Sequence, residues 1–362
     1  MQLLQLIMFI AGCHRSGTSL LAATLRELLS LSNDGKGQLQ AALDNPNGFH
    51  ESNRLVALND ELLELVGCSW SKPPLIAPRW EMSPLIEELV AKRELYRDLA
   101  LNRFWLDKDP RISLTYPAYL HLMLRRVPVI AAIREPLAVA CSLFARNGIS
   151  VDAGLCLWFL YNHHLTSALD SSDPVIPYQR LMQAAQDHDV SKNLYSRIVQ
   201  WLEKSEQSSA DFQVWSEVIT KQVQPNLDRS GEALLPATMA GVNSDLLEVC
   251  QKAYDCTLSK GSDGASLISA FDALPRVVLE VQHRYGICAS ADLQDPAPLR
   301  ESLAALPQTR EQLHRSLADV AEHHQQLESC VHDLSSQLAA MQGSLSWRIT
   351  APLRSLAKRL RS

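Results

Sequence analysis

The 362-residue sequence contains no run of eighteen consecutive apolar residues and no pair of cysteines at CxxC spacing. The first absence predicts that no segment spans a bilayer, because a transmembrane helix needs about 20 predominantly apolar residues. The eight cysteines are scattered, which is typical of reduced thiols in a cytoplasm and gives no sign of a metal site. Cys141 and Cys156 lie in apolar helical stretches, so we expect them to be core residues.

Acidic residues outnumber basic ones outside the C-terminal end. The net charge is −6, and residues 344–362 contribute +5 with no acidic residue, so the remaining residues carry −11. A body with that charge is a poor partner for nucleic acid. We therefore expect no nucleic-acid ligand and look for a different anion.

A glycine-bounded stretch near the N-terminus, AGCHRSGTSL at residues 11–20, lacks the lysine of a nucleotide-binding P-loop. In the GxxxxGK[ST] pattern a lysine directly follows the second glycine, whereas Thr18 stands there in this chain. An apolar stretch, Leu3 to Ile10, precedes the loop, and leucines at helical spacing follow it. The sequence thus predicts strand, loop and helix, an order that directs backbone N–H groups at an anion.

The missing lysine changes the chemistry expected of this loop. In an NTPase the lysine neutralises the β- and γ-phosphates, and the next hydroxyl holds magnesium. Here Arg15 supplies the cation from inside the loop, where it can reach the bridging oxygen of a ligand held by N–H groups. We therefore expect a ligand with less charge and no obligatory magnesium. The predicted ligand-binding residues of the loop are Arg15, Ser16, Gly17, Thr18 and Ser19.

Strand and helix patterns alternate along residues 1–290, the predicted first domain. They recur in FWLDKDPRISL at 104–114, VPVIAAIREPLAVACSLFARNGIS at 127–150 and DPVIPYQRLM at 173–182. This alternation predicts a P-loop-like, three-layer α/β fold with a parallel sheet between helices. Parallel sheets bind ligands at the carboxyl ends of their strands, where Arg15, Lys108 and Arg134 are all expected.

The C-terminal part has a different character. Residues 291–307 are predicted to be a linker, and residues 308–345 follow an unbroken 3,4 spacing in which nine of eleven positions are apolar. This pattern predicts a helical coiled coil that suits a parallel homodimer, with a single amphipathic helix folded back on the domain as the alternative. Residues 346–362 predict a basic amphipathic tail at an anionic, inner membrane face, or else a solvated basic end.

Two segments resemble the phosphate-binding elements of sulfotransferases that use 3′-phosphoadenosine 5′-phosphosulfate (PAPS). HRSGTSLLAATL at 14–25 resembles their 5′-phosphosulfate loop, and IREPLAVACSL at 133–143 is similar to their 3′-phosphate element. In that element a strand is followed by an arginine, here Arg134, and eight residues later by a serine, here Ser142. Residues 44–60 and 105–117 also look like bacterial polysaccharide-type members. The resemblance covers about residues 6 to 185.

The resemblance implies transfer of a sulfuryl group from PAPS to an acceptor hydroxyl, with adenosine 3′,5′-bisphosphate leaving. Arg15 is implied to stabilise the bridging oxygen as charge builds on it. Lys108 looks like the second basic residue that many sulfotransferases hold near the transferred group. Its alternative role is an ion pair with Asp107 or Asp109.

The attacking hydroxyl needs a base within hydrogen-bond reach. We prefer Glu51, which begins a predicted helix in a segment where the family keeps a carboxylate, and His50 and Asp109 are the alternatives. Glu51 could instead be a helix N-terminal acid favoured by the helix dipole. The histidine that cytosolic sulfotransferases use has no counterpart here, since Asp109 and Pro110 follow Lys108.

The acceptor is indicated only by the C-terminal tail. SLSWRITAPLR at 344–354 looks like the tails of bacterial glycosyltransferases and related enzymes of surface polysaccharide assembly, which implies a carbohydrate acceptor. Two other functions remain open at this point: a P-loop kinase or NTPase with an atypical phosphate loop, and a non-catalytic coiled-coil scaffold.

Overall fold

The computed structural model describes residues 6–29, 51–78, 80, 87, 89, 104–123, 126–204, 211–223 and 242–288. All of these belong to the first of two units into which the chain divides, Met1–Ala291. The predicted linker, coiled coil and basic tail lie outside the described residues. His50 also lies outside them.

Each described strand is followed directly by a helix, as predicted, and only helices follow the last strand among the described residues. The strands are β1 (Leu6–Ala11), β2 (Phe104–Lys108), β3 (Val129–Ile133) and β4 (Val175–Pro177). The helices of the first half are α1 (Thr18–Leu28), α2 (Asn53–Leu65), α3 (Ile112–Met123), α4 (Pro136–Asn147) and α5 (Val151–Leu165). The later helices are α6 (Tyr178–Gln183), α7 (His188–Lys204), α8 (Phe212–Gln222), α9 (Ser244–Ser259), α10 (Gly264–Phe271) and α11 (Arg276–Tyr285).

The described strands form one parallel sheet in the order β2-β1-β3-β4. Ile10 of β1 lies opposite Lys108 at the end of β2, and Ala11 lies opposite Ala131 of β3. Because all four strands run in one direction, their carboxyl ends share one edge of the sheet. The predicted parallel α/β architecture is confirmed.

The sheet is buried on both faces. Phe9 and Ala11 of β1 pack into one apolar cluster with α3, α4 and α5, whereas Met8 and Ile10 pack into another with α1, α7 and α8. All four side chains are fully buried. Two-sided burial explains why β1 and β3 have continuous apolar sequences instead of alternating ones. The helices thus form two layers around the sheet.

Helix α4 begins sharply after β3, and this start positions one side of the site. Pro136 is the first helical residue, where its missing N–H costs no intrahelical hydrogen bond. The Glu135 carboxylate caps the helix by accepting hydrogen bonds from the N–H groups of Leu137, at 3.1 Å, and Ala138, at 2.6 Å. The chain therefore turns within two residues of Arg134 and directs α4 back across the sheet edge.

Helix α5 runs through the centre of one helical layer, with almost every residue buried. Cys156 of α5 and Cys141 of α4 are both buried in the same apolar cluster, which confirms the prediction that they are core residues. Within the described ranges, no single helix is long and apolar enough to cross a membrane. The segments 136–147 and 151–168 reach that length and hydropathy only together, and the chain bends by 119° between them.

We expect the protein to lose stability as the pH falls from 6.5 to 4, because His164 of α5 is buried as a neutral imidazole. Its Nε2–H donates to the carbonyl oxygen of Pro74 at 2.5 Å, and burial lowers its pKa from 6.5 to about 4. The unfolded chain therefore binds more protons than the folded one throughout this window. A shift of that size corresponds to a loss of about 3 kcal/mol by pH 4.

Urea unfolding at pH 7 and pH 4 measures this loss. His164→Gln is the matched control, since glutamine also offers an N–H donor but does not titrate in this range. The parent protein should lose about 3 kcal/mol more than the variant between the two pH values. Equal losses in both proteins would contradict the assignment.

Candidate active site

The loop between β1 and α1 has a backbone that requires glycine at both ends. Gly12 and Gly17 have φ angles of 144° and 88°. A Cβ atom on Gly12 would collide with the carbonyl oxygen of Ala132, and one on Gly17 would lie 2.5 Å from Cδ2 of Tyr178. The GxxxxG spacing in the sequence thus reflects two close approaches of this loop to β3 and α6.

Helix α1 begins at Thr18, directly after this loop, and offers N–H groups to a ligand. Its N-cap residue, Gly17, has no side chain to cap the helix, and the first N–H that bonds back within the helix is that of Leu21. First-turn N–H groups have no intrahelical partner in any α-helix. Together with the helix dipole they favour an anion at this end.

Arg15 lies in the middle of the loop in a left-handed conformation, with a φ of 67°. Its Nε donates a hydrogen bond to Oγ of Ser142 at 2.9 Å, and its carbonyl oxygen accepts one from Nη1 of Arg134 at 3.2 Å. Left-handed backbone is unfavourable for an arginine and persists only where the surroundings hold it. Two residues of the predicted 3′-phosphate element therefore hold Arg15 in place.

Arg134 is fixed on its other side by an aromatic ring. Its guanidinium carbon lies 4.2 Å from the ring centroid of Tyr178, the first residue of α6. The Arg134 carbonyl oxygen accepts a hydrogen bond from the indole N–H of Trp158 at 3.0 Å. The sequence predicted that Arg134 and Ser142 lie close enough to face one phosphate. The structure brings both of them to Arg15, although Ser142 follows it by 127 residues in the chain.

Lys108, at the end of β2, connects the loop to a carboxylate. Its ammonium group donates to Oγ of Ser19 at 3.1 Å and forms an ion pair with Oε1 of Glu51. The side chains of Lys108 and Glu51 are 2% and 8% exposed, so water screens this pair little. Arg15, Lys108 and Arg134 thus lie at one edge of the sheet, as expected from the alternation of strands and helices.

Burial raises the pKa of the Glu51 carboxyl, and the Lys108 ammonium beside it offsets part of that rise. The nearby Asp109 carboxylate raises the pKa further. A carboxylate with a raised pKa is a better proton acceptor than an exposed one. Glu51 precedes the N-cap residue of α2, Ser52, so it also stands where a helix N-terminal acid was expected.

Asp109 is fully buried and has a structural set of partners. One of its oxygens accepts from Nδ2 of Asn59 at 2.9 Å, and the other accepts from the backbone N–H of Arg111 at 2.9 Å and from its Nη1 at 3.1 Å. The hydrogen-bonded carboxylate holds Arg111 and α2 beside the site. This arrangement favours a positioning role for Asp109 over a role as the base.

Three residues of the site have no clear sequence signal. Ser113 of α3 accepts a hydrogen bond from the backbone N–H of Gly12 at 3.0 Å, which anchors the start of the loop. Trp70 and Tyr161 pack against the imidazole of His14. These residues come from three distant segments, and no local pattern marks them as neighbours. Within the described ranges, no three His, Cys, Asp or Glu side chains group as metal ligands.

Comparison with known proteins gives limited similarity. No family model and no curated protein matches this chain. Similar solved structures include the sulfotransferase domain from the Synechococcus PCC 7002 olefin synthase, with 13% identity over 79% of this chain and 95% of that domain and a TM-score of 0.34. The sulfotransferase domain from the curacin biosynthetic pathway has 14% identity over 79% and 99% of the two chains, with a TM-score of 0.31. Because both TM-scores are low, the function has to be inferred from the geometry of the site.

Proposed function

We propose that this protein is a sulfotransferase that moves a sulfuryl group from PAPS to a hydroxyl of a carbohydrate acceptor. The observation that carries the proposal is the position of Arg15. It lies inside a glycine-bounded anion loop, and a threonine stands where an NTPase has its phosphate-binding lysine. A guanidinium at this point suits the phosphosulfate end of PAPS, which carries less negative charge than a triphosphate and so needs no divalent ion.

The loop also fits the phosphosulfate end of the donor. Ser16 is 1% exposed, and its Oγ has no hydrogen-bond partner among the described residues. Buried hydroxyl groups nearly always have a partner in folded proteins, so this one suits a polar ligand. Together with the first-turn N–H groups of α1, it offers donors to the oxygen atoms of an anion. Arg134 and Ser142 are the proposed contacts of the 3′-phosphate.

The chemical step is an in-line displacement at sulfur. The acceptor oxygen forms a bond to sulfur while the bond from sulfur to the bridging oxygen breaks, and adenosine 3′,5′-bisphosphate leaves. Negative charge grows on the bridging oxygen, and preorganised cations stabilise it more in the transition state than in the ground state. Arg15 and Lys108 are the proposed cations, and the ion pair with Glu51 holds Lys108 at the loop.

Glu51 is the proton acceptor that the sequence favours. Its raised pKa supports that role. The ion pair with Lys108 supports a second role, in which Glu51 positions the lysine. The two roles predict different effects of the substitution Glu51→Gln on turnover. Glu51→Gln preserves a hydrogen bond to Lys108 but removes the base, so a base role entails loss of turnover with donor binding retained.

The carbohydrate acceptor, the coiled-coil homodimer and the membrane contact are proposals from the sequence of residues 308–362. Their support is the 3,4 apolar spacing and the basic tail. A protein with this tail is expected at the inner face of the membrane in the cytoplasm. Co-sedimentation with anionic vesicles, lost on removal of residues 346–362, tests the membrane contact.

We expect adenosine 3′,5′-bisphosphate to stabilise the protein against heat in the presence of EDTA. A ligand at 100 times its Kd adds about 2.7 kcal/mol, which raises the Tm of a domain of this size by about 5 °C. Differential scanning fluorimetry with this nucleotide, with ATP and with Mg-ATP measures the effect. Binding without magnesium separates a sulfotransferase from a kinase or NTPase.

Stabilisation by Mg-ATP alone would remove the sulfotransferase proposal in favour of the NTPase. The protein could also bind adenosine 3′,5′-bisphosphate but transfer no labelled sulfate from PAPS to oligosaccharides of the producing cells. That result would favour the alternative of a non-catalytic scaffold. Adenosine 5′-phosphate serves as the control nucleotide, because it lacks the 3′-phosphate that Arg134 and Ser142 are proposed to hold. A weaker shift with this control is the expected result.

A further inference from the structure

His14 lies in the anion loop directly before Arg15, and aromatic rings pack against its imidazole on two sides. Its ring centroid is 5.0 Å from that of Trp70, at an interplanar angle of 58°, and 5.5 Å from that of Tyr161, at 74°. The Tyr161 hydroxyl donates to the Trp70 carbonyl oxygen at 2.8 Å, which ties the Tyr161 side chain to the backbone of Trp70. The imidazole is therefore held in one place beside the proposed donor site.

The Nε2 atom of His14 is buried and has no hydrogen-bond partner in the part of the chain that the structure describes. A buried polar atom without a partner is rare in native proteins, and catalytic groups are one of the recognised reasons for it. Ser16, two residues further along the same loop, has a buried hydroxyl that also lacks a hydrogen-bond partner among the described residues. The loop thus contains two buried polar atoms without a hydrogen-bond partner among the described residues, one on each side of Arg15 in the sequence.

The surroundings keep the imidazole neutral. Burial lowers the pKa of His14 well below 6.5, and the positive charges of Arg111, Lys108, Arg146 and Arg15 lower it further. Burial raises the pKa of the facing Tyr161 hydroxyl well above 10, so that group is neutral as well. A neutral imidazole has a ring nitrogen with a lone pair. An anionic donor nucleotide bound beside these cations would offset part of their effect on the imidazole.

Glu51 differs from His14 in one respect that bears on proton transfer. Its Oε1 accepts the ammonium group of Lys108, so the carboxylate is engaged before any acceptor arrives. Taking up a proton there would weaken the ion pair that holds Lys108 at Ser19. Nε2 of His14 has no hydrogen bond to any described residue. It can therefore accept a proton without breaking a hydrogen bond to one of them.

We infer that His14 is the residue that takes the proton from the attacking hydroxyl, an inference that rests on the proposed sulfotransferase activity. The acceptor oxygen bonds to sulfur, and the bond from sulfur to the bridging oxygen breaks. The hydroxyl proton passes to Nε2 of His14, and adenosine 3′,5′-bisphosphate leaves with the electron pair of the broken bond. The imidazolium then returns its proton to solvent. Glu51 serves in this scheme to position Lys108.

The test compares His14→Gln, His14→Ala and Glu51→Gln with the parent protein. The probes are adenosine 3′,5′-bisphosphate for donor binding and labelled PAPS with soluble oligosaccharides of the producing cells for turnover. All three variants should keep the thermal stabilisation by the nucleotide. Turnover of both His14 variants should fall by about 100-fold or more, which is the usual contribution of a general base.

Added imidazole should restore turnover of His14→Ala, with a rate that follows the unprotonated fraction of the imidazole. It should not restore turnover of Glu51→Gln. A merely structural histidine would show no such rescue. These results together support the inference.

Turnover of His14→Gln within about threefold of the parent overturns the inference, because a proton acceptor cannot be dispensable. Loss of nucleotide binding in both His14 variants also overturns it and makes His14 part of the donor site. A parent protein that is not stabilised by the nucleotide refutes the proposed function, and the inference fails with it. If the parent binds the nucleotide and His14→Gln is still active, the inference about His14 is refuted and the proposed function is not.

Discussion

Arg15→Ala is expected to abolish stabilisation by adenosine 3′,5′-bisphosphate and to lower sulfate transfer by about 1000-fold. Removal of one preorganised donor to a developing charge commonly lowers kcat by about 100- to 1000-fold, and a cation contributes more than a neutral donor. The effect should be large because Ser142 and Arg134 already fix the orientation of Arg15. The guanidinium therefore needs little further ordering when the nucleotide binds.

Differential scanning fluorimetry with the nucleotide and transfer of labelled sulfate from PAPS measure the two effects. Arg276→Ala is the matched control, since its side chain is 92% exposed and forms an ion pair with Glu280 one turn further along α11. Arg15→Lys keeps the charge but loses the planar guanidinium and its bond to Ser142, so intermediate activity is expected. Full nucleotide binding by Arg15→Ala would refute the role of the loop.

Lys108→Met is expected to lower the free energy of unfolding by about 3 to 5 kcal/mol at pH 8, because it leaves the Glu51 carboxylate buried without its partner. The loss should shrink at lower pH. Burial holds the folded-state pKa of Glu51 above its unfolded value, so the folded chain binds the extra proton and the stability of the variant rises as the pH falls through that pKa. Urea unfolding at pH 8 and pH 5 measures both effects.

The double variant Lys108→Met/Glu51→Gln should recover part of this stability, because no uncompensated charge remains. The exposed pair of Lys252 and Glu248, with side chains 73% and 63% exposed, provides the control. Lys252→Met should cost far less than Lys108→Met, because exposed ion pairs contribute little to stability. Equal losses in Lys108→Met and Lys252→Met would mean that Glu51 and Lys108 do not form a buried pair.

Local sequence patterns were sufficient for the elements that build the site. The apolar stretches before Gly12 and around Val129 predicted β1 and β3, because strands buried on both faces must be apolar throughout. Pro136 marked the start of α4, since proline fits the first position of a helix. The order of strands and helices also predicted that Arg15, Lys108 and Arg134 share an edge of the sheet.

The partners of those cations could not be predicted in the same way. The sequence suggested Asp107 or Asp109 as a partner of Lys108, and the structure pairs it with Glu51, 57 residues earlier in the chain. Asp109 instead accepts hydrogen bonds from Asn59 and Arg111. Along a strand, successive side chains point to opposite faces, so a neighbour in sequence is often the wrong partner in space.

The sequence by itself determined the glycine-bounded loop, the arginine within it and the strand-helix units that surround it, since these depend on backbone conformation and on apolar periodicity over a few residues. Only the tertiary structure decided that Ser142 binds Arg15, that Glu51 holds Lys108, and that Nε2 of His14 is buried without a hydrogen-bond partner among the described residues. The physical reason is that each of these facts depends on how helices and loops far apart in the chain pack against the sheet. Periodicity within one segment carries no information about which side chain of another segment lies opposite.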